Sequence, residues 1–302
     1  MAEAPGKWQV IPAAGPTVEA VRGTLETFLD EACRRFRQAG RKGLENSEHA
    51  HQARVWSRRA TAALALYRDW LPNKAYRNVR DGLRDLRRAA DGARTWDVWL
   101  DWLRDHAGIP GMEAWMEQAE IRQRKAYRAL ARARRADTSL ATLGETSRKV
   151  LERIACRHLD GGSGDAAVEA VRGSVRARMD TFFGAMPVGS SGMGDFHRFR
   201  IAGKKLRYTL ELTHSLFDPA LRQELYPRLT ALLDRLGELN DLAGFLKRVS
   251  HSKWCGTEAG RRLQDELLIR QQQALGKYWE VGHPELVHAL QVRFQAVCCP
   301  SG

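Results

Sequence analysis

The sequence has few cysteines and no long apolar run. Its five cysteines are scattered and form no C-x-x-C pair, so neither a disulfide framework nor a zinc knuckle is indicated. No stretch approaches the roughly 18 consecutive apolar residues that a membrane helix needs, and the N-terminus lacks the pattern of a secretory signal. We therefore expect a soluble cytoplasmic protein that does not associate with a membrane.

Motifs for catalysis and for phosphate loops are also missing. There is no G-x-S-x-G and no G-x-x-x-x-G-K, and the Gly-Gly-Ser-Gly run at residues 161–164 has neither the lysine nor the preceding strand of a phosphate loop. His49 and His51 would diverge by about 200° on a helix, so they cannot face one metal ion. We expect no catalytic residue, metal or cofactor. A metal-dependent phosphohydrolase is the alternative that the histidines leave open.

Arginine is the residue that is abundant. Lysine and arginine total 49 against 36 aspartates and glutamates, a formal net charge of +13, and 39 of the 49 are arginines. This excess favours an anionic partner such as nucleic acid, a phosphate polymer or an acidic surface. Because a guanidinium presents paired planar donors that match phosphate oxygens, the preference for arginine favours phosphate.

Apolar residues recur at helical spacing along the chain. Trp96, Trp99, Leu100 and Leu103 follow the i, i+3, i+4, i+7 pattern of an amphipathic helix, and no sustained period-two alternation occurs. The pattern predicts an all-α fold. We interpret the tryptophans as core residues, with an aromatic platform for base stacking as the alternative.

The chain repeats itself. The sequence Val-Glu-Ala-Val-Arg-Gly at residues 18–23 recurs at residues 168–173. A second match, at an offset of 146, pairs His51, Arg54, Arg58 and Arg59 with His197, Arg200, Lys204 and Lys205. We predict two duplicated helical bundles, at residues 17–158 and 165–295, joined by the glycine-rich residues 158–164 and preceded by a flexible arm at residues 1–16.

Each copy of the second motif places its basic residues on one face of a helix. Residues advance by about 100° each around a helix, so His51, Arg54 and Arg58 fall in one narrow sector, as do their counterparts and Arg207. The apolar residues beside this sector are Val55, Ala62 and Leu66 in the first copy and Ile201, Tyr208 and Leu212 in the second. We predict a basic stripe that borders this apolar, buried face. No acid occurs between His51 and Arg68, so a ligand or carboxylates from elsewhere must balance the stripe.

A third basic run extends from Arg122 to Arg135. Within it Arg124, Arg128, Arg132 and Arg135 descend one helix face in steps of three and four residues. This run is either a further part of an anion site or a solvated surface helix.

These motifs resemble those of the CHAD family, the conserved-histidine α-helical domain. The first copy reads HQARVWSRR at residues 51–59 and the second HRFRIAGKKLRY at residues 197–208. Downstream, LGELNDL at residues 236–242 is similar to the family's Leu-Gly-x-x-(His/Asn)-Asp-Leu, and RTWDV at residues 94–98 to its Arg-Asp-x-Asp-Val. The likeness covers roughly residues 17–290.

The resemblance implies two four-helix bundles with pseudo-twofold symmetry around a central basic cavity, which binds inorganic polyphosphate and catalyses no reaction. Its ligand contacts, carried across by motif, are His51, Arg54, Arg58, Arg59, His197, Arg200, Lys204, Lys205 and Arg207. We add Arg22 and Arg172 of the repeated hexapeptide and Arg128 and Arg132 of the third run as candidates.

The sequence departs from the family pattern at three positions. Thr61 stands where the second copy has Arg207, which weakens the symmetry of the site. Thr95 and Ala243 replace acids of the two downstream motifs, and we expect these two changes to concern capping at helix starts.

Three alternatives stay open at this point. A nucleic-acid-binding helical protein fits the charge, although no helix-turn-helix, RRM or zinc-finger signature is present. The histidines either contact the ligand or serve as structural residues. The binding itself either acts on soluble chains or targets the protein to polyphosphate granules.

Overall fold

The chain folds into α-helices. A computed structural model describes residues 6–12, 15–109, 111–135, 164–189 and 191–299, together with residues 145, 149 and 152. Within these ranges nine α-helices and no strands occur, which confirms the all-α prediction. The helices are α1 Val18–Lys42, α2 Glu48–Leu66, α3 Asn73–Asp105, α4 Met112–Arg135, α5 Gly164–Phe183, α6 Met193–Thr213, α7 Tyr226–Ser250, α8 Glu258–Gly282 and α9 Pro284–Cys298. Two 3₁₀ turns, Arg68–Trp70 and His214–Leu216, and a π-turn, Leu221–Leu225, connect some of them.

The helices belong to two compact units. The first comprises residues 1–105 and 113–169, and the second residues 106–112 and 170–302. In the first unit α1 packs along α2 and α2 along α3, while in the second α6 packs along α7 and α7 along α8. Residues 158–163 of the predicted connection, and residues 1–5, 13 and 14 of the predicted arm, lie outside the described ranges. Ile11 of the arm is buried.

Several helices begin at capping residues that the sequence supplies. The Thr17 hydroxyl accepts a hydrogen bond of 3.1 Å from the amide of Ala20 at the start of α1. At the start of α6, the Gly192 amide donates to Asp195 Oδ2 at 2.9 Å. Such bonds satisfy amides that have no partner within the helix, so they fix where the helix starts.

The buried faces of α2 and α6 have the same register. The buried residues of α2 are Ala50, Ala53, Trp56, Ser57, Ala60, Ala63 and Leu64. The residues 146 positions later are Phe196, Phe199, Ala202, Gly203, Leu206, Thr209 and Leu210, and all of them are buried in α6. The offset found in the sequence therefore also relates the core positions of these two helices.

The predicted core face of the motif helices was wrong for most of the residues that marked it. Val55, Ala62 and Leu66 are only half-buried, and Ile201 is 41% exposed, whereas Tyr208 and Leu212 are buried. The predicted face was identified by its larger apolar residues, whereas the buried face of α2 consists mostly of alanines. Small residues let neighbouring helices approach closely, and the basic stripe borders this alanine face from its other edge.

Close approach also explains a glycine on the buried face of α6. A Cβ atom at Gly203 would lie 2.6 Å from Cδ2 of Leu233 and 2.8 Å from Cε2 of Phe182. No side chain fits at that distance, so glycine is required where α6 meets α5 and α7.

The tryptophan-rich segment is part of α3. Trp99 is 2% exposed, Leu100 and Leu103 are fully buried, and the Trp99 ring stacks on that of Trp102 with centroids 5.4 Å apart. The prediction that Trp99 fills the core is confirmed, while Trp96 is half-buried.

Candidate functional site

The basic stripe of the first motif lies on α2. His51, Arg54 and Arg58 are all half-buried, and Nε of Arg54 is itself buried. Arg59 points over Trp56, with the guanidinium carbon 4.7 Å from the ring centroid. That cation–π contact orients Arg59 beside the stripe.

Helix α3 brings further arginines to this stripe. Arg84, Arg87 and Arg94 are half-buried and recur at helical spacing. The pKa of Arg87 is lowered by burial, and Arg58, Arg88 and Arg84 lower it further through their positive charges. The two helices therefore form one positively charged surface. We call His51, Arg54, Arg58, Arg84, Arg87 and Arg94 the α2–α3 basic surface.

His51 is electrostatically part of this surface. Burial lowers its pKa, and the positive charges of Arg94, Arg54 and Arg58 lower it further against the opposite effect of Glu48. The imidazole of the unliganded protein is therefore neutral at pH 7.

A carboxylate from α3 lies within the α2–α3 basic surface. Oδ1 of Asp91 is 2.6 Å from Nε of Arg54 and 3.9 Å from Nη2 of Arg58. The negative charge of Asp91 also raises the pKa of Arg87 against the effect of burial. Asp91 is thus one of the balancing carboxylates that the sequence led us to expect from elsewhere in the chain.

The second motif builds a different surface on α6 and α7. Nδ1 of His197 donates a hydrogen bond of 2.6 Å to Oδ1 of Asn240. The guanidinium of Arg200 lies beside Gly237, since a Cβ atom there would be 3.9 Å from its Nε and Nη2 atoms. Lys204 is half-buried. We call His197, Arg200 and Lys204 the α6–α7 basic surface; Lys205 next to it is exposed.

The two surfaces differ in what the neighbouring helix contributes. At the offset of 146, Arg84, Arg87, Asp91 and Arg94 of α3 correspond to Thr230, Leu233, Gly237 and Asn240 of α7. Every charged residue of this α3 face is therefore replaced by an uncharged one. The α2–α3 basic surface is therefore richer in arginine than the α6–α7 basic surface, and the likeness of the two motif helices does not extend to the helices beside them.

Arg207 belongs to an internal network in α6. Its Nη2 donates to the Tyr208 hydroxyl at 3.0 Å, and its guanidinium lies over the Tyr208 ring. Burial acts to lower the pKa of Arg207, but Tyr208, Glu211 and Tyr226 together leave it above the usual value. Glu211 is 1% exposed and accepts a hydrogen bond of 2.7 Å from the Tyr226 hydroxyl. The charge of Arg207 is thus already balanced within the fold.

The four added candidates lie in other surroundings. Arg22 is exposed on α1, and Arg172 donates to the Leu216 carbonyl at 3.4 Å beside a cavity that Asp218 also lines. Arg128 and Arg132 are exposed on α4, which fits the solvated-helix interpretation. The side chains of Arg134 and Arg135 are outside the described part of the chain.

The capping interpretation of the downstream motifs was wrong. Thr95 and Asp97 lie inside α3 and Ala243 inside α7, far from a helix start. Asp97 is 1% exposed and accepts hydrogen bonds from Gln123 Nε2 at 2.9 Å and from the Tyr127 hydroxyl at 2.8 Å. Burial raises its pKa although these bonds act in the other direction. The acid of this motif therefore ties α4 to α3.

No group of three or more His, Cys, Asp or Glu side chains in the described ranges is arranged to hold a metal ion. None of the described helices combines the length and the apolar character needed to cross a lipid bilayer.

These features define an all-helical protein with an arginine-rich surface between helices. The family model of the CHAD domain matches residues 23–249, and the chain belongs to the CHAD domain family. No curated protein matches the sequence significantly.

Two solved structures share the fold. The crystal structure of the CHAD domain from the plant Ricinus communis superposes with a TM-score of 0.75 at 22% identity, covering 97% of this chain and 96% of that one. PptA from Streptomyces chartreusis superposes with a TM-score of 0.58 at 16% identity, covering 88% of this chain and 99% of that one.

Proposed function

We propose that this protein binds inorganic polyphosphate without catalysing a reaction. The observation that carries the proposal is the α2–α3 basic surface, where five arginines and a histidine come from two helices. Its carboxylate partners are Asp91 beside Arg54 and Arg58, and Asp81 and Asp85 beside Arg84. Membership of the CHAD family, whose resemblance implies the same ligand, supports it.

The electrostatics of this surface favour a polyanion. The pKa values of Arg87 and His51 are both lowered by burial and by neighbouring arginines, so the positive charges repel one another in the unliganded protein. A chain with one negative charge per phosphate relieves that repulsion along its length, and guanidinium groups can bind its oxygens in pairs.

The proposed contacts include the candidates from the motifs and the arginines of α3. In the first unit they are His51, Arg54, Arg58, Arg59, Arg84, Arg87 and Arg94, and in the second His197, Arg200, Lys204, Lys205 and Arg207.

Granule targeting is a further part of the proposal. A fluorescent fusion is expected to form foci only in cells that store polyphosphate, and diffuse signal in both kinds of cell would contradict it.

Competition between polyanions tests the proposed ligand. Immobilised long-chain polyphosphate is expected to retain the protein against single-stranded and duplex DNA at matched phosphate concentration in about 150 mM salt. The half-buried arginines favour a narrow chain that fits between helix faces, whereas duplex DNA is wide. A preference for DNA would reject the proposal and favour a nucleic-acid-binding protein, with the exposed arginines of α4 as candidate contacts.

Binding is expected to tighten as the pH falls below neutrality. The pKa of His51 lies below the usual 6.5 in the unliganded protein. A phosphate beside His51 favours the protonated imidazole, so the pKa of His51 is higher in the bound protein. We expect affinity to rise about two- to fivefold between about pH 7.5 and about pH 5.5. Isothermal titration of wild type and of His51→Ala/His197→Ala measures the change, and an equal pH dependence in both would exclude the histidines as ligands.

The stability of the unliganded protein should depend on pH in the opposite direction to its affinity for polyphosphate. Because folding lowers the pKa of His51 and of His214, the unfolded state binds more protons below about pH 6.5. Stability without ligand is therefore expected to fall as the pH decreases through that range. Thermal unfolding with and without polyphosphate separates the two effects.

A further inference from the structure

Asp91 lies against two arginines of the α2–α3 basic surface. Its Oδ1 atom lies 2.6 Å from Nε of Arg54 and 3.9 Å from Nη2 of Arg58. A carboxylate and a phosphate present similar pairs of oxygens to a guanidinium, so the two anions require the same donors. They cannot both use the Arg54 donor at this distance.

We propose that Asp91 is a built-in competitor of the phosphate ligand, whose carboxylate must be displaced from Arg54 and Arg58 before a phosphate binds there. The inference rests on the proposed function and adds to it a residue that sets the affinity of the site.

The partial exposure of the Asp91 side chain and the geometry of its contact with Arg54 allow such displacement. The side chain of Asp91 is 38% exposed, and those of Arg54 and Arg58 are 21% and 23% exposed. Nε of Arg54 and Oδ1 of Asp91 are themselves buried, and despite their short distance they do not form a hydrogen bond. The pair therefore lacks the added strength of a charge-assisted hydrogen bond. Glu211 provides the contrast, because it is 1% exposed and accepts a hydrogen bond from Tyr226. Glu211 fits a structural role, while Asp91 fits a replaceable one.

The second unit indicates that the fold does not need an acid at this position. Gly237 corresponds to Asp91 at the offset of 146, and Arg200 corresponds to Arg54. Both arginines contact this position of the neighbouring helix, since a Cβ atom at Gly237 would lie 3.9 Å from Nε of Arg200. The same arrangement therefore exists with and without a carboxylate.

Neutralising Asp91 tests the proposal. Asp91→Asn is expected to bind long-chain polyphosphate about three- to tenfold more tightly than wild type in about 150 mM salt. Its affinity should also depend more steeply on salt, because Arg54 is then neutralised by ions that the ligand releases. Asp101→Asn is the matched control: Asp101 lies on the same helix, pairs with Arg104 at 3.5 Å, and its change alters the net charge equally.

A tightening in Asp91→Asn that exceeds that in Asp101→Asn supports the competitor role, and equal affinities in the two variants would overturn it. Failure of wild type and both variants to bind polyphosphate would instead reject the proposed function. Unfolding of each variant, followed by circular dichroism, checks that the proteins compared are folded.

A reciprocal pair keeps the test independent of the folding of Asp91→Asn. The space beside Gly237 admits a side chain at van der Waals distance from Arg200. Gly237→Asp is expected to bind about three- to tenfold more weakly than Gly237→Asn, which has the same size without the charge. Equal affinities in this pair would overturn the idea that a carboxylate at this position competes with phosphate.

Discussion

Reversing the charge at Arg58 and Lys204 together, to glutamate, should weaken polyphosphate binding by at least about a hundredfold. Arg58 lies in the α2–α3 basic surface and Lys204 in the α6–α7 basic surface, and both are half-buried. Each change removes a charge-assisted contact, worth roughly 1.5–3 kcal/mol, and adds repulsion between glutamate and phosphate. Helical content should stay the same, because both side chains reach solvent and lie outside the alanine-lined and aromatic core positions.

A matched control separates the site from general electrostatics. Arg128→Glu/Arg132→Glu lowers the net charge by the same amount on exposed residues of α4. We expect this variant to lose less than about fivefold in affinity in about 150 mM salt, where charges beyond about 8 Å are screened. Filter binding or titration calorimetry with long-chain polyphosphate measures both variants. A larger loss in the α4 variant would move the site to the third basic run.

The sequence was sufficient for the helical class and for the two motif helices. Helical spacing predicted α3 around Trp99, and the offset of 146 placed His51 and His197 on corresponding faces of α2 and α6. The first feature depends on the spacing of residues within one helix, and the second on an internal sequence repeat. Both can be recognised without knowing which helices are neighbours.

The composition of the site could not be predicted in the same way. Arg87 and Asp91 reach the stripe from α3, more than thirty positions after His51, and periodicity within a helix does not reveal which face of the next helix meets it. The sequence does contain one indication of this charged face of α3. Its members follow one another at helical spacing of three and four residues: Arg84, Arg87, Asp91 and Arg94. The core face of α2 was misplaced for a related reason, since alanine carries little weight in hydrophobic patterns although it permits close helix packing.

The two units carry similar net charges, and they differ in how charged residues are arranged around the motif helix. The first unit combines arginines from α2 and α3 with Asp91, and the second combines His197, Arg200 and Lys204 with uncharged residues of α7. Salt dependence offers a way to distinguish their contributions, because each released counterion steepens the decline of affinity with salt. The first surface, with more arginines, is expected to contribute most of that slope.

Glu211→Ala should be among the most destabilising substitutions outside the aromatic core. Glu211 is 1% exposed, accepts from the Tyr226 hydroxyl at 2.7 Å and balances the charge of Arg207. Its removal leaves Arg207 without that charge and the buried Tyr226 hydroxyl without its acceptor. We expect a loss of about 2–4 kcal/mol in the free energy of unfolding, measured by urea denaturation followed by circular dichroism.

The first unit supplies the compensating variant, because Thr61 and Ala65 stand at the positions that correspond to Arg207 and Glu211. Arg207→Thr/Glu211→Ala removes both members of the pair, so it should recover at least about 1 kcal/mol relative to Glu211→Ala. The same double variant decides the role of Arg207 in binding. If Glu211 holds Arg207 for the fold, polyphosphate affinity stays within about threefold of wild type. A loss of tenfold or more in the folded double variant would show instead that Arg207 contacts the ligand, as the motif implies, and that the fold and the site share this arginine.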